Sequence, residues 1–123
     1  GVGDDPHSWA FDGCRKLKWT GGDQDTYGGP EPWRRGDVVG CALDVDAREV
    51  SFSVNGVDLG TAFSDLPDAG DGFFAALSLE DNEGVRVALH AAELRFPPPP
   101  RYTALGAAAL APEGAGEEAA PRE

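Results

Sequence analysis

Apolar and polar residues alternate with a period of two along much of the chain before Pro97, and the cleanest stretch is Asp37–Leu59. Val39, Cys41, Leu43 and Val45 alternate with smaller or polar residues, and Val50, Phe52 and Val54 repeat the pattern, as half-buried strands require. Asn55-Gly56 then separates these from Val57 and Leu59. Asn-Gly suits a two-residue hairpin because both positions adopt positive φ. A two-residue loop there pairs Val54 with Val57 and Phe52 with Leu59. A two-residue loop at Ala47-Arg48 pairs Val45 with Val50, Leu43 with Phe52 and Cys41 with Val54. Both loops place the apolar residues on one face, and a one-residue slip would turn every side chain over. The pattern predicts a three-stranded antiparallel meander with one buried face.

Earlier in the chain, Trp9 and Phe11 alternate on one strand and Leu17 and Trp19 on the next, with Asp12-Gly13 between them. A three-residue loop at Phe11-Asp12-Gly13, with Gly13 left-handed, brings Trp9 and Leu17 to the same face. Later strands are predicted over Phe73–Leu79 and Val85–Leu89, joined through Asp81-Asn82-Glu83-Gly84, with a short Leu94-Arg95-Phe96 after them. Trp9, Phe11, Leu17, Trp19, Phe52, Phe63, Phe73 and Phe74 are assigned mainly to packing. Short antiparallel strands without a helical period mean an all-β sandwich or barrel. Composition breaks at Pro97-Pro98-Pro99-Pro100, so residues 1–96 are read as the folded body and 97–123 as a disordered Pro/Ala/Glu-rich linker or tail. Its Ala104–Ala111 stretch is too short for a stable helix without packing partners, and Pro97–Pro100, formally a PxxP, is read as linker punctuation.

Charge and composition narrow the function. Ten Lys and Arg face 22 Asp and Glu, a net charge of −12, which disfavours nucleic acid phosphates and anionic membrane surfaces. No run approaches the roughly 18 apolar residues of a membrane span, and no signal-peptide pattern is present. The absence of any Met implies a processed start or a piece of a longer chain. Cys14 and Cys41 lack metal or disulfide-framework spacing and are expected to be reduced, buried thiols of a cytosolic protein.

Candidate chemistry is thin. Asp23-Gln24-Asp25-Thr26-Tyr27-Gly28 begins like an EF-hand loop, but Tyr27 and Arg34 stand where ligands are required. Asp44 and Asp46 share a strand face with no third ligand nearby, so no metal is expected. His7 and His90 lie at opposite ends of the body without a nucleophile motif, and Gly1-Val2-Gly3 lacks the rest of a phosphate loop; neither catalysis nor a cofactor is expected. The loop Thr20–Arg35 is different. It carries Tyr27, Trp33, Arg34 and Arg35 among Gly, Pro and Asp. Loops on a rigid scaffold concentrate binding residues, and Tyr, Trp and Arg are the types that dominate interfaces. Trp33 has two readings, a partner-binding ring or a plug over the core before the strand at Asp37.

Gly36-Asp37-Val38-Val39-Gly40-Cys41-Ala42-Leu43-Asp44 followed by Val50-Ser51-Phe52-Ser53-Val54-Asn55-Gly56-Val57-Asp58-Leu59-Gly60-Thr61-Ala62-Phe63 resembles the core of the SPRY family. Gly1-Val2-Gly3-Asp4, Ser8-Trp9-Ala10-Phe11-Asp12-Gly13, Lys18-Trp19 and Tyr27-Gly28 resemble the segment before that core. Phe74–Leu79 and Leu94-Arg95-Phe96-Pro97 resemble the segment after it. The resemblance implies a bent sandwich of two antiparallel sheets whose first strands lie upstream of Gly1. It also implies a non-catalytic module that binds a protein or peptide through its inter-strand loops, without nucleic acid or direct membrane contact. The motif order is most similar to the SPRY domain of large RING-type E3 ubiquitin ligases, which implies substrate or adaptor recognition in the cytoplasm. The SPRY domains of ryanodine-receptor calcium-release channels are next, and a non-ligase adaptor of the Ran-binding kind is a further alternative. Gly29-Pro30-Glu31-Pro32 lengthens the loop before Trp33, and Asp68–Gly72 and Val85–Ala92 depart from both groups.

Overall fold

Strand patterning and turn chemistry act together in a computed structural model that describes residues 1–68 and 70–108. Among the described residues, six strands form two antiparallel three-stranded sheets. The first contains β1 (Trp9–Asp12), β2 (Leu17–Thr20) and β3 (Asp23–Thr26); the second contains β4 (Val39–Asp44), β5 (Glu49–Val54) and β6 (Val57–Phe63). The fold is all-β, and the second sheet is the meander expected from Val39 to Leu59. Between the sheets lies a core of Cys41, Leu43, Val50 and Leu66, with Trp9, Phe52, Phe63 and Phe73 packed against it.

At Asn55-Gly56 the backbone behaves as the dipeptide dictates. Both φ angles are positive, 52° and 83°, and Val54 pairs with Val57 across the turn. The other end of the meander differs from expectation. β4 meets β5 through Cys41↔Phe52 and Leu43↔Val50, so the connection is the four residues 45–48 and not Ala47-Arg48 alone. The Asp44 carboxylate accepts the Ala47 N–H at 2.9 Å, and Arg48 adopts φ 59°, which closes the longer turn. The register moves by two residues. Because the pleat has period two, the same side chains remain inside, while Val45 leaves the sheet and is 49% exposed.

The expected Phe52–Leu59 pair falls where the β5–β6 register shifts, between the pairs Ser53↔Asp58 and Ser51↔Thr61. Gly60, at φ 90°, sits in this bulge.

The first hairpin also corrects the sequence reading. Its loop has four residues, 13–16, and Trp9 pairs with Thr20, Phe11 with Lys18 and Asp12 with Leu17. Trp9 and Leu17 therefore lie on opposite faces. The cause is Asp12, whose Oδ1 accepts the N–H groups of Cys14 and Arg15, both at 3.0 Å, while its carbonyl accepts Lys16 N–H at 2.9 Å. Three turn donors are satisfied by one residue, as Asx turns allow, which favours the longer loop. Lys18 accordingly faces inward. Its ammonium donates to the Ala62 carbonyl at 2.6 Å and lies 5.4 Å from the Phe63 ring centroid, a charged tip carried across apolar surface by its stem.

β3 lies inside the stretch read as loop, because Asp23-Gln24-Asp25-Thr26 is exposed throughout and has no apolar period. Conversely, the strands expected over Phe73–Leu79, Val85–Leu89 and Leu94–Phe96 make no ladder among the described residues. Alternation supplies a face but not a neighbouring edge to pair with. Phe74, Leu77, Leu79, Val85 and Val87 stay 42–63% exposed, so Phe74 is not a packing residue here. Cys41 is buried as expected, but Cys14 is exposed on the hairpin loop, and no disulfide joins them.

Past Pro97 the chain returns to the body. Ala104 is buried, Gly106 N–H donates to the Leu89 carbonyl at 2.6 Å, and a single turn, α1 (Leu105–Ala108), follows. The remainder of the expected linker, 109–123, lies outside the described residues.

Leu66, 3% exposed, and Val45 test the register. Leu66→Ala should cost about 2–5 kcal/mol, and Val45→Ala no more than about 0.5 kcal/mol, both by urea denaturation. A Val45→Ala loss as large as that of Leu66→Ala would restore the two-residue loop.

Candidate interaction surface

Phe11 is the hub around which the candidate surface assembles. Its ring meets Tyr27 edge-on at 5.1 Å between centroids, Trp33 edge-on at 5.0 Å and Phe52 at 5.1 Å. Edge-to-face pairs add stabilisation beyond the area they bury. Trp33 is positioned twice, since its N–H donates to the Gly13 carbonyl at 3.0 Å and its ring occupies the space that a Cβ on Gly13 would need. It remains 38% exposed, so it covers the hub and stays partly open to solvent at once.

Tyr27 follows β3 directly and reaches across to the second sheet. Its hydroxyl accepts the Phe52 N–H at 3.2 Å and donates to the Gly60 carbonyl at 2.5 Å. The phenol thus bridges β5 and β6 at the bulge. Burial pushes its acidity to a higher pKa, against the Phe52 hydrogen bond that favours the phenolate, and so keeps the bridging proton in place.

The loop between Trp33 and β4 is fixed by carboxylate and amide groups. Asp37 accepts Arg34 N–H at 2.7 Å and the Asn55 side-chain amide at 3.0 Å, and Asn55 Oδ1 accepts Val38 N–H at 2.9 Å. These bonds hold the Asp37 carboxyl below the usual carboxylate range, the Arg34 N–H first and the Asn55 amide next, with smaller help from the charges of Arg34 and Lys16. Arg34 itself is solvent-exposed and reaches Glu31 at 3.3 Å. Arg35 is exposed and has no ion pair or side-chain hydrogen bond among the described residues.

Between the hairpin loop and the loop after β3 lies an open cleft of about 730 Å³. Cys14, Arg15 and Lys16 form one wall, Gly29, Pro30 and Pro32 the other, and Thr26 and Tyr27 complete it. Of the four residues singled out from sequence, Tyr27 lines the cleft, and Trp33, Arg34 and Arg35 lie outside its lining. Cys14, Arg15 and Lys16 were not anticipated. The available signal was charge, because five of the ten basic residues (Arg15, Lys16, Lys18, Arg34 and Arg35) fall within 21 positions of this acidic chain.

The two cations of the cleft are handled differently. Arg15 pairs with Asp12 at 2.7 Å and stacks 5.0 Å from the Trp19 ring centroid. Burial raises the Asp12 pKa, but the Arg15 N–H, the Arg15 guanidinium and the Cys14 N–H together outweigh it and leave the carboxyl below its ordinary value. Lys16 is 9% exposed and holds its ammonium 4.9 Å from the Phe11 ring centroid. Among the described residues, no three His, Cys, Asp or Glu side chains converge as a metal site would require.

A SPRY domain family model matches residues 1–91. The chain belongs to the SPRY family. This SPRY domain is 39% identical over 99 residues to the E3 ubiquitin-protein ligase RKP of Arabidopsis thaliana, a match covering 79% of the chain and 8% of that protein. It is 37% identical over 71 residues to the dual specificity protein kinase splA of Dictyostelium discoideum, covering 53% of the chain and 3% of the kinase. It is also 46% identical over 61 residues to the ATP-dependent RNA helicase Ddx1 of Drosophila melanogaster, covering 48% and 8% respectively. The SPRY domain therefore spans less than a tenth of each of these relatives. SPRY domains are protein-interaction modules, and the two sheets agree with a SPRY sandwich.

Two substitutions test how the surface is held. Tyr27→Phe keeps the ring but leaves the Phe52 N–H and the Gly60 carbonyl without their shared partner, which should cost about 1–3 kcal/mol of stability in denaturant titration. Asp12→Asn keeps the acceptor and loses the charge. Because the folded Asp12 pKa is depressed, its contribution is present above the unfolded carboxyl pKa of about 4 and disappears as pH falls through the lower folded value. The melting-temperature gap between wild type and Asp12→Asn should hold from neutral pH down to that point and close below it. A gap independent of pH would remove the Arg15–Asp12 charge pairing as its source.

Proposed function

We propose that this SPRY domain recruits a substrate or adaptor protein to a larger E3 ubiquitin ligase, using the surface made by residues 13–16 and 27–36. The observation that carries this reading is preorganisation. Trp33 and Tyr27 are clamped on Phe11, and Asp37 and Asn55 tie the following loop to the β5–β6 turn. A surface whose loops are already ordered loses less entropy when a partner docks. Arg34 and Arg35 then supply exposed cations beside the half-exposed Trp33, a combination enriched at interface hot spots. The ligase context is supported by the likeness to RKP across 79% of the chain. The ubiquitin-transfer chemistry would belong to the rest of such a protein. A cytoplasmic setting goes with this function, and an exposed Cys14 outside any disulfide suits a reducing compartment.

The test pairs binding with outcome. Arg34→Ala combined with Arg35→Ala should leave the circular dichroism spectrum and melting temperature unchanged and weaken retention of the domain's partners about ten-fold, a loss of about 1.4 kcal/mol. Partners are identified by mass spectrometry of material held by wild type and lost by the double variant. Their ubiquitination should fall when the domain is deleted from the parent protein. An identical retained set for both variants would remove this loop from the interface, and unchanged ubiquitination would remove the ligase role.

A further inference from the structure

Among the described residues the cleft beside Tyr27 contains a charge that no carboxylate contacts as an ion pair, although Asp37 interacts with it at longer range. Lys16 is the single charged residue that is buried among the described residues, 9% exposed. Its Cε lies beside Gly28, and its ammonium sits over the Phe11 ring. Among the described residues it has no carboxylate within ion-pair distance and no hydrogen-bond acceptor, although the chain carries 22 acidic residues. Among the described residues the buried side-chain polar atom without a partner is Trp19 Nε1, so the Lys16 Nζ keeps contact with solvent at the cleft although most of the residue is covered. The Phe11 ring face attracts the ammonium and leaves its hydrogen-bond donors free.

The nearby carboxylates are committed elsewhere. Asp12 holds the hairpin backbone and Arg15, Asp37 holds Arg34 N–H and Asn55, and no carboxylate lines the cleft. The opening therefore offers one uncommitted cation, with the Tyr27 ring and Pro30 and Pro32 around it.

We propose that this cleft is a subsite for a protein partner and takes a single Asp or Glu side chain of an extended segment, with the Lys16 ammonium as its counter-ion and the prolines and Tyr27 contacting its apolar neighbours. This rests on the interaction-module reading and adds the chemistry of the bound segment. One free cation matches one carboxylate. A phosphate carries about −1.5 to −2 charges and is best held by a bidentate guanidinium, whereas Arg15 is already occupied by Asp12. The overall charge of −12 repels a polyacidic segment and so selects an isolated acidic residue with apolar flanks. About 730 Å³ exceeds the volume of one carboxylate side chain and lies within the range of ligand clefts.

A peptide array decides it. Hexapeptides randomised at the flanking positions carry Glu, Gln or phosphoserine at a fixed central position, and binding of the full chain is read by fluorescence. The Glu set should be retained at least ten-fold above the Gln set. That preference should vanish in Lys16→Met, persist in Lys16→Arg, and survive Arg34→Ala combined with Arg35→Ala. If Lys16→Met does not fold, the Nζ resonance of wild-type Lys16 is followed by NMR instead, and it should shift with bound Glu peptides and not with Gln peptides. Retention without a Glu preference, or a preference unchanged in Lys16→Met, overturns the carboxylate subsite and leaves the interaction module standing. Preference for phosphoserine over Glu overturns it in favour of a phosphate site. Retention of no peptide overturns the subsite as well, and the broader reading is then judged by the separate partner pull-down.

Discussion

The Tyr27 hydroxyl sits between a donor on β5 and an acceptor on β6, and the arrangement of the two sheets follows from that insertion. A bulge leaves backbone groups without their ladder partners, and the half-buried Phe52 N–H needs an acceptor. Here the satisfying group comes from the chain just after β3, in the other sheet. The bridge fixes where Tyr27 stands. Tyr27 and Phe52 then enclose Phe11, and Phe11 in turn supports Trp33 and Lys16. Inter-sheet packing and the candidate surface share one set of rings.

Short polar side chains do the remaining positioning. Asp12, Asp44 and Asp37 each spend their oxygens on backbone N–H groups of a turn, and Asn55 links the loop before β4 to the tight turn after β5. In a chain with twice as many acidic as basic residues, this has an electrostatic consequence. The carboxylates nearest the cleft are consumed in holding loops, so its walls carry cations against the sign of the whole molecule. The acidic excess remains a bulk property, concerned with solubility and long-range repulsion, and does not describe the local field that a docked side chain meets.

What could be read from the sequence divides along the same physical line. Parity was legible, because placing Cys41, Leu43, Val50 and Phe52 on one face needs only a period of two. Absolute register was not. It depends on whether Asp44 and Arg48 close a four-residue turn, and a shift of two leaves the pattern unchanged. The first hairpin shows the harsher case, since Asp12 satisfying three donors changed the loop from odd to even and turned Trp9 and Leu17 to opposite faces. β3 has no apolar residue to announce it, and Val85–Leu89 has the alternation but no partner edge. Tyr27 and Trp33 stood out as aromatic residues in a Gly- and Pro-rich loop. That Tyr27 serves the ladder as well, and that Lys16 is enclosed while Cys14 is exposed, depends on a turn geometry that spacing does not encode.

A surface built in this way is portable. Its loops are held by rings and carboxylates belonging to the same hundred residues. Stretches of this domain recur in a ubiquitin ligase, a kinase and a helicase, in each case as less than a tenth of the protein. A protein-interaction module suits that recurrence, because it can be joined to unlike chemistries. Specificity must then lie in the few side chains that the frame displays without using them. Tyr27 has its hydroxyl committed to the ladder and Trp33 has most of its ring committed to Phe11, so neither can change without loosening the sheets. Arg34, Arg35 and the tip of Lys16 carry no such obligation. Their identity can vary while the frame stays fixed.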